Sequence, residues 1–325
     1  MPSVYYNPEK PDRTFHQWPR ELNLMVKYDK TWQCNDTLSG HSAAVVSLAF
    51  SPDGQTLASA SLDATIQLWN PHQGKEGKTL IGHEDFVNAI AWSPDGKLIA
   101  SGSLDRTVKL WNPSTGEELH SIAAHSKPIE SVAFSADGQT LASASWDKTI
   151  GLWQVENREK RLTFKGHSKP IVSVAFSPDG RTVASASWDL TVKLWDSHTG
   201  QEYHTLTGHA NPLEGVTFSP NGQVLASSSL DKTVKLWNPN SGELLRTLTG
   251  HTDGIRTLAF SPDGEVLASA SSDKTLKLWS VETGEVLATL RGHSSYVFAV
   301  AFSPDGKQLA TGSDDKMVKV WQAIA

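Results

Sequence analysis

Histidine, aspartate, serine and tryptophan recur along this chain at fixed distances, and residues of these types can do chemistry together. Seven histidines, His41, His83, His125, His167, His209, His251 and His293, each stand 42 residues from the next. An aspartate follows each histidine by 22 residues: Asp63, Asp105, Asp147, Asp189, Asp231, Asp273 and Asp315. A tryptophan follows each aspartate by 6: Trp69, Trp111, Trp153, Trp195, Trp237, Trp279 and Trp321. Serine hydroxyls lie between, Ser59 and Ser61 in the first copy. Ser, His and Asp make up the hydrolase relay, in which His takes the hydroxyl proton and Asp orients His. An active site is needed once, whereas these groups recur seven times. Their expected role is therefore architectural, and no catalytic residue is assigned. The histidines stand one per repeat, and no Cys or His cluster has ligand spacing, so neither a metal nor another cofactor is expected.

The elements that hold these residues are read from the repeat. Its clearest copy, residues 166–195, is GHSKPIVSVAFSPDGRTVASASWDLTVKLW. Seven copies without an insertion mean an architecture built from one unit. Each unit needs its neighbours to bury its faces, which overrides the two-domain expectation that 325 residues would raise. In copy one, residues 45–50 and 56–61 flank Ser51-Pro52-Asp53-Gly54, a hairpin turn in which Gly supplies φ > 0. A third strand is expected at 66–70 and a fourth at 78–81, after a turn holding Gly74 or Gly77. Val45, Leu48 and Phe50 fall on the inward side, and Ile66 and Leu68 with Trp69 on the other. Runs apolar on both faces suit a sheet stacked between two others.

The Gly-His pair, the Ser-Pro-Asp-Gly turn, the Ser-x-Asp run and the closing Leu-Trp resemble the WD-repeat β-propeller family. The resemblance covers residues 31–325, about nine-tenths of the chain, and seven matches in phase are far more specific than one. It implies an all-β fold, a seven-bladed propeller of four-stranded antiparallel blades. In that family the loop His bonds the turn Asp and a strand Ser or Thr, which bonds the Trp N–H. The hydroxyls that match are Ser59, Ser101, Ser143, Ser185, Ser227, Ser269 and Thr311, taken in the order of the histidines. Of the closing tryptophans only Trp195 is followed by Asp, and copy three carries Ala124 and Arg158 where glycines are the pattern. Residues 37–41 (TLSGH) match 79–83 and 247–251, and only four residues follow Trp321. The strand at 31–38 is therefore expected to complete the last blade, which removes an open sheet edge and is how the family closes its ring. The near-identical copies also resemble bacterial WD-repeat proteins, whose arrays are often sensor or scaffold modules attached to signalling ATPases or kinases.

Residues 1–30 stand outside the repeat as an N-terminal arm. Pro2, Pro8, Pro11 and Pro19 exclude a long helix across most of it. Tyr5, Tyr6, Phe15, Trp18 and Tyr28 are more aromatics than a solvated tail usually carries, so the arm is expected to dock on its own propeller or on a partner. Residues 22–26 (LNLMV) suit a short strand or a helical turn equally. A net charge of −6 and a pI near 6.0 argue against a broad phosphate-binding surface, hence against nucleic acid. One cysteine, Cys34, allows no internal disulfide. The start lacks the apolar core of a signal peptide, and no run of about 18 apolar residues exists. A soluble cytoplasmic protein without a membrane partner is expected. Residues 74–79 (GKEGKT) end like a phosphate-binding loop, but His72 stands at the first glycine position and no helix follows.

Function should lie where the copies differ. The Gly-His loop and the Asp turn share one rim, and three positions per copy face out there. The inward strand supplies the residues before and after its first apolar residue, and the Asp turn supplies the residue before Asp. The sets are Ala44, Val46, Leu62; Phe86, Asn88, Leu104; Pro128, Glu130, Trp146; Pro170, Val172, Trp188; Pro212, Glu214, Leu230; Gly254, Arg256, Ser272; and Tyr296, Phe298, Asp314. Apolar, aromatic patches of this kind mark interaction sites. Trp146 and Trp188, then Phe86, Tyr296 and Phe298, are the expected anchors for a peptide or protein segment. Glu130, Glu214 and Asp314 would favour basic residues in it, and Arg256 an acidic one. The bland alternative lays the tryptophans flat on neighbouring blades or beneath the arm. The expected function is a non-enzymatic interaction scaffold. Its rivals are a subunit of a larger signalling or enzyme assembly tethered through residues 1–30, and a small-molecule binder or enzyme using the central channel. The channel reading is weakened by the lack of a unique polar cluster expected at its mouth.

Overall fold

The computed structural model describes residues 31–324. The arm at 1–30, with its five aromatics and the stretch 22–26, lies outside the described residues. Within them the chain forms seven four-stranded antiparallel sheets, each a blade of one ring. In six blades the four strands follow one another in sequence. In the seventh, Trp32–Ser39 supplies the outer strand and pairs with Met317–Ala323, from Trp32 opposite Ala323 to Ser39 opposite Met317. The first strand of the described chain thus closes the ring.

Copy one shows how local chemistry sets the blade. Its strands are Val45–Phe50, Leu57–Ser61, Thr65–Asn70 and Lys75–Ile81. The second begins one residue later than expected, at Leu57 opposite Phe50, because Thr56 belongs to the turn and donates its N–H to Ser51 Oγ. The third begins one residue earlier than expected, because Thr65 pairs with Ile81. The fourth begins three residues earlier, because Lys75 pairs with Asn70. Gly74, at φ 62°, makes the intervening turn, and GKEGKT is mostly strand rather than a phosphate loop. In the Ser-Pro-Asp-Gly turn, Ser51 Oγ donates to Asp53 Oδ1 (2.6 Å) and so does the Gln55 N–H (3.0 Å). Arg158 stands at φ 65° where copies one, two, four, five and six have a positive-φ glycine. Its N–H reaches Gln154 O at 2.8 Å, so copy three makes the same turn with a side chain in the left-handed region.

Each inner strand carries one irregularity at the same place. Pairing shifts between Val45 and Ser47, so Val46 is an extra residue relative to the partner strand. The same bulge falls at Asn88, Glu130, Val172, Glu214, Arg256 and Phe298. A bulge bends its strand and re-aims a side chain. It also explains how Val45 and Leu48, three apart, share one face and one core with Phe50 and Leu57. The blades are held face to face by such cores. Between blades three and four, Ile150, Leu152 and Phe164 pack on Ile171, Val174 and Trp195. Trp111, Trp195 and Trp279 are among the largest fully buried side chains. Each such indole contributes roughly 4–6 kcal/mol of gross burial free energy. Around the channel, the N–H groups of Ile90, Val174 and Val216 reach across to Ser47, Ser131 and Ser173 Oγ of the preceding blade (3.1–3.2 Å).

Candidate functional site at the channel mouth

Two constellations of polar side chains stand on the Gly-His side of the ring. The first repeats in every blade. Histidine Nδ1 lies 2.7–3.0 Å from the aspartate Oδ2 in the pairs His41–Asp63, His83–Asp105, His125–Asp147, His167–Asp189, His209–Asp231, His251–Asp273 and His293–Asp315. Histidine Nε2 lies 2.7–2.9 Å from the hydroxyl of Ser59, Ser101, Ser143, Ser185, Ser227, Ser269 or Thr311. The same hydroxyl accepts the indole N–H of Trp69, Trp111, Trp153, Trp195, Trp237, Trp279 or Trp321 at 2.7–2.9 Å. The connectivity is that of a hydrolase relay. Yet each of these hydroxyls is 0% exposed, and an indole already occupies its oxygen. No substrate carbonyl reaches it, so the set acts as a strut.

The strut's carboxylates are fully supplied with donors. For Asp105, burial alone would raise the pKa, but hydrogen bonds from His83 and Thr107 outweigh it and hold the carboxyl well below the usual range. Asp147, Asp189, Asp231 and Asp273 behave alike. Among the described residues there is no group of three or more His, Cys, Asp or Glu placed to hold a metal ion.

The second constellation occurs once. The seven bulge residues, Val46, Asn88, Glu130, Val172, Glu214, Arg256 and Phe298, line one cavity of ≈ 390 Å³ at the ring's centre, together with Trp188. Glu130 is half-buried and faces this channel, and Asn88 Nδ2 donates to its Oε1 at 3.3 Å and to Ile129 O at 3.0 Å. Burial pushes the Glu130 carboxyl up to about 7; the neighbouring Glu214 charge adds to the rise, and the Trp146 N–H opposes it. Burial also raises Glu214, against the pull of Arg256 and the Trp188 N–H. Arg256 Nη1 sits 3.2 Å from Glu214 Oε2, its Nε donates to Ser272 Oγ at 2.8 Å, and its guanidinium lies 5.7 Å from the Phe298 ring centre. The channel mouth therefore does hold a unique polar cluster, contrary to the expectation from sequence. Each charged residue is single in its own blade, and only ring closure brings the three together. Arg256 is engaged by Glu214 and Ser272, with part of its side chain still exposed.

The expected anchors divide. Trp146 and Trp188 are half-buried and tilt onto each other, ring centres 5.6 Å apart at 48°. Their indole N–H groups are buried; each lies close enough to Glu130 or Glu214 to lower that carboxyl's pKa, but outside hydrogen-bond geometry. Phe86 and Tyr296 are the exposed aromatics of this rim, each 42% accessible. Tyr296 packs edge-on against half-buried Phe298. Asp314 is exposed and accepts the Ser295 hydroxyl at 2.7 Å. In each blade the first and third of the three rim positions are joined by a backbone bond, as from Trp146 N–H to Pro128 O (3.0 Å). Asn88 was not singled out as an anchor from sequence. The three-residue spacing of Val87 and Ile90, in a strand whose period is two, is the signal that a bulge places Asn88 in the channel.

A family model described as "WD domain, G-beta repeat" matches residues 158–196, 200–238, 242–280 and 284–322. Another, "IFT122 first beta-propeller", matches residues 45–163. Protein HIRA of Zea mays is 51% identical over 45 residues, 14% of this chain and 5% of that protein. Protein Mut11 of Chlamydomonas reinhardtii is 46% identical over 48 residues, 15% of this chain and 13% of that protein. Coatomer subunit beta'-2 of Arabidopsis thaliana is 48% identical over 44 residues, 13% of this chain and 5% of that protein. The chain thus spans about one-eighth or less of each relative, a likeness about one blade long.

Proposed function

Because the chain belongs to the WD-repeat family of seven-bladed β-propellers, we propose that it is a non-catalytic scaffold that binds an extended peptide or protein segment over the channel mouth. One observation carries this reading. The struts are the same in every blade apart from one Ser-to-Thr exchange, whereas the seven bulge residues include two acids, an amide, a guanidinium and an aromatic ring. Packing needs no such variety; a chemically specific partner does. Trp146 and Trp188 flank the acidic side, and Phe86 and Tyr296 offer exposed aromatic surface around it. The test is capture of partners from native lysate by wild type and by a Trp146→Ala/Trp188→Ala variant. Loss of partners by the folded variant is expected, and identical partner sets would remove the reading.

A second reading makes the chain a subunit of a larger assembly, as the name of the coatomer relative suggests for that protein. It is favoured by the place where the arm joins. Trp32 lies beside Pro262 and Asp305, on the Ser-Pro-Asp-Gly side, away from the channel mouth described above. Deleting residues 1–30 separates the two readings: loss of association with the rim intact favours the arm.

A further inference from the structure

The channel already contains one cation held by a recognisable set of groups. Arg256 rests on a carboxylate (Glu214), a hydroxyl (Ser272) and an aromatic face (Phe298). Blade three and its two neighbours present a matching set without the cation. Glu130 is the carboxylate, and Asn88, which donates to it, is its one hydrogen-bond partner within bonding geometry among the described residues. Trp146 and Trp188 supply the aromatic faces, and their buried indole N–H groups lie near Glu130 and Glu214 but, among the described residues, outside hydrogen-bond geometry. The cluster holds two carboxyls and one guanidinium, so with both carboxyls ionised one positive charge is missing.

Resting on the scaffold reading above, we infer that Glu130, between the Trp146–Trp188 pair and Glu214, receives the basic side chain of the bound segment, an arginine guanidinium or a lysine ammonium. A cation there balances Glu130, relieves its repulsion with Glu214 and lies against tryptophan faces, the aromatic surface that attracts cations most strongly. The cavity of ≈ 390 Å³ leaves room for a long side chain entering from the mouth. An acidic or neutral side chain gains none of this, because it meets a carboxyl that burial already disfavours in its charged form. The raised carboxyl must ionise when the cation arrives, so binding at and below pH 7 releases protons.

The probes are Nα-acetyl-arginine amide, Nα-acetyl-lysine amide and the neutral isostere Nα-acetyl-citrulline amide, titrated into the full chain. Indole N–H resonances are followed and assigned with Trp146→Phe and Trp188→Phe. The expected result is movement of these two resonances with the arginine or the lysine amide and not with citrulline. Glu130→Gln should weaken the response by about tenfold or more. Proton release in wild type, read from the buffer dependence of the binding heat, gives a second measure that needs no variant. The inference is overturned if citrulline acts like arginine, if neither cation moves the resonances, if Glu130→Gln responds like wild type, or if no proton is released. If the double tryptophan variant loses its partners while Glu130→Gln keeps them, this inference falls and the scaffold reading stands.

Discussion

Asp147 and Glu130 belong to the same blade, both are withdrawn from bulk water, and their acidities move in opposite directions. Burial would raise both. Asp147 receives hydrogen bonds from His125, Thr149 and the Ser126 N–H, which hold it charged far into acid. Glu130 has one weak amide donor and an acidic neighbour, and it rises to about 7. The difference is one of completeness. Groups that the repeat copies are supplied with every partner they need, as buried polar atoms in stable proteins are. Glu130, which the repeat does not copy, is left short, and a ligand can make up what it lacks.

The comparison is most exposed to Ser143→Ala, which leaves the Trp153 N–H and His125 Nε2 without their common hydroxyl. Urea unfolding should show a loss of about 1–3 kcal/mol for each of the two groups. Ser143→Thr should cost under ~1 kcal/mol, since Thr311 does the same work in the last blade. A silent Ser143→Ala would deny the strut its structural role. Glu130→Gln tests the other side. The folded carboxyl titrates above its unfolded value of 4.5, so wild type loses stability as pH rises from 4.5 through about 7. Urea unfolding should find Glu130→Gln more stable at pH 8 by up to ~3 kcal/mol and equal to wild type near pH 4.

Asp147→Asn sharpens the contrast, because its sign is reversed. The folded Asp147 pKa lies below the unfolded one, so its contribution is present above about pH 4 and is lost as pH falls through the folded value. The substitution should cost ~1–3 kcal/mol at pH 7, and thermal melts should show the gap shrinking towards pH 2.

The seven-fold fold was legible because 42-residue spacing needs no knowledge of contacts, and closure was legible because Thr37-Leu38-Ser39-Gly40-His41 repeats Thr79-Leu80-Ile81-Gly82-His83. The rim positions were legible as places where copies differ. The channel cluster was not, for two reasons. Glu130 and Glu214 are 84 residues apart and Glu214 and Arg256 are 42 apart, and only the ring brings the three together. The bulge that points them inward is a matter of strand pairing, and its trace in the chain is a spacing of three, as from Ile129 to Val132, where two is the rule. The half-burial of Trp146 and Trp188 rests on one ring lying against the other, which neither blade's own sequence contains.

Smaller effects test copies that depart from the pattern. Arg158→Gly should raise the unfolding free energy by ~1 kcal/mol, since only glycine takes φ 65° without steric cost. In the last blade Met317 stands where threonines elsewhere donate to the strut aspartate, and only its N–H reaches Asp315 (3.1 Å). Met317→Thr should add that bond and ~0.5–1 kcal/mol in urea unfolding.

The claim that struts build and bulges recognise is tested most directly by stripping the bulge ring of its polar side chains. Asn88, Glu130, Glu214 and Arg256 would all be replaced by valine, the residue already present at Val46 and Val172. The measurement is the partner set this variant captures from native lysate, set beside that of wild type. The account predicts a protein that melts cooperatively at or above the wild-type temperature and captures none of the wild-type partners. Recovery of the same partners in the same amounts would contradict it.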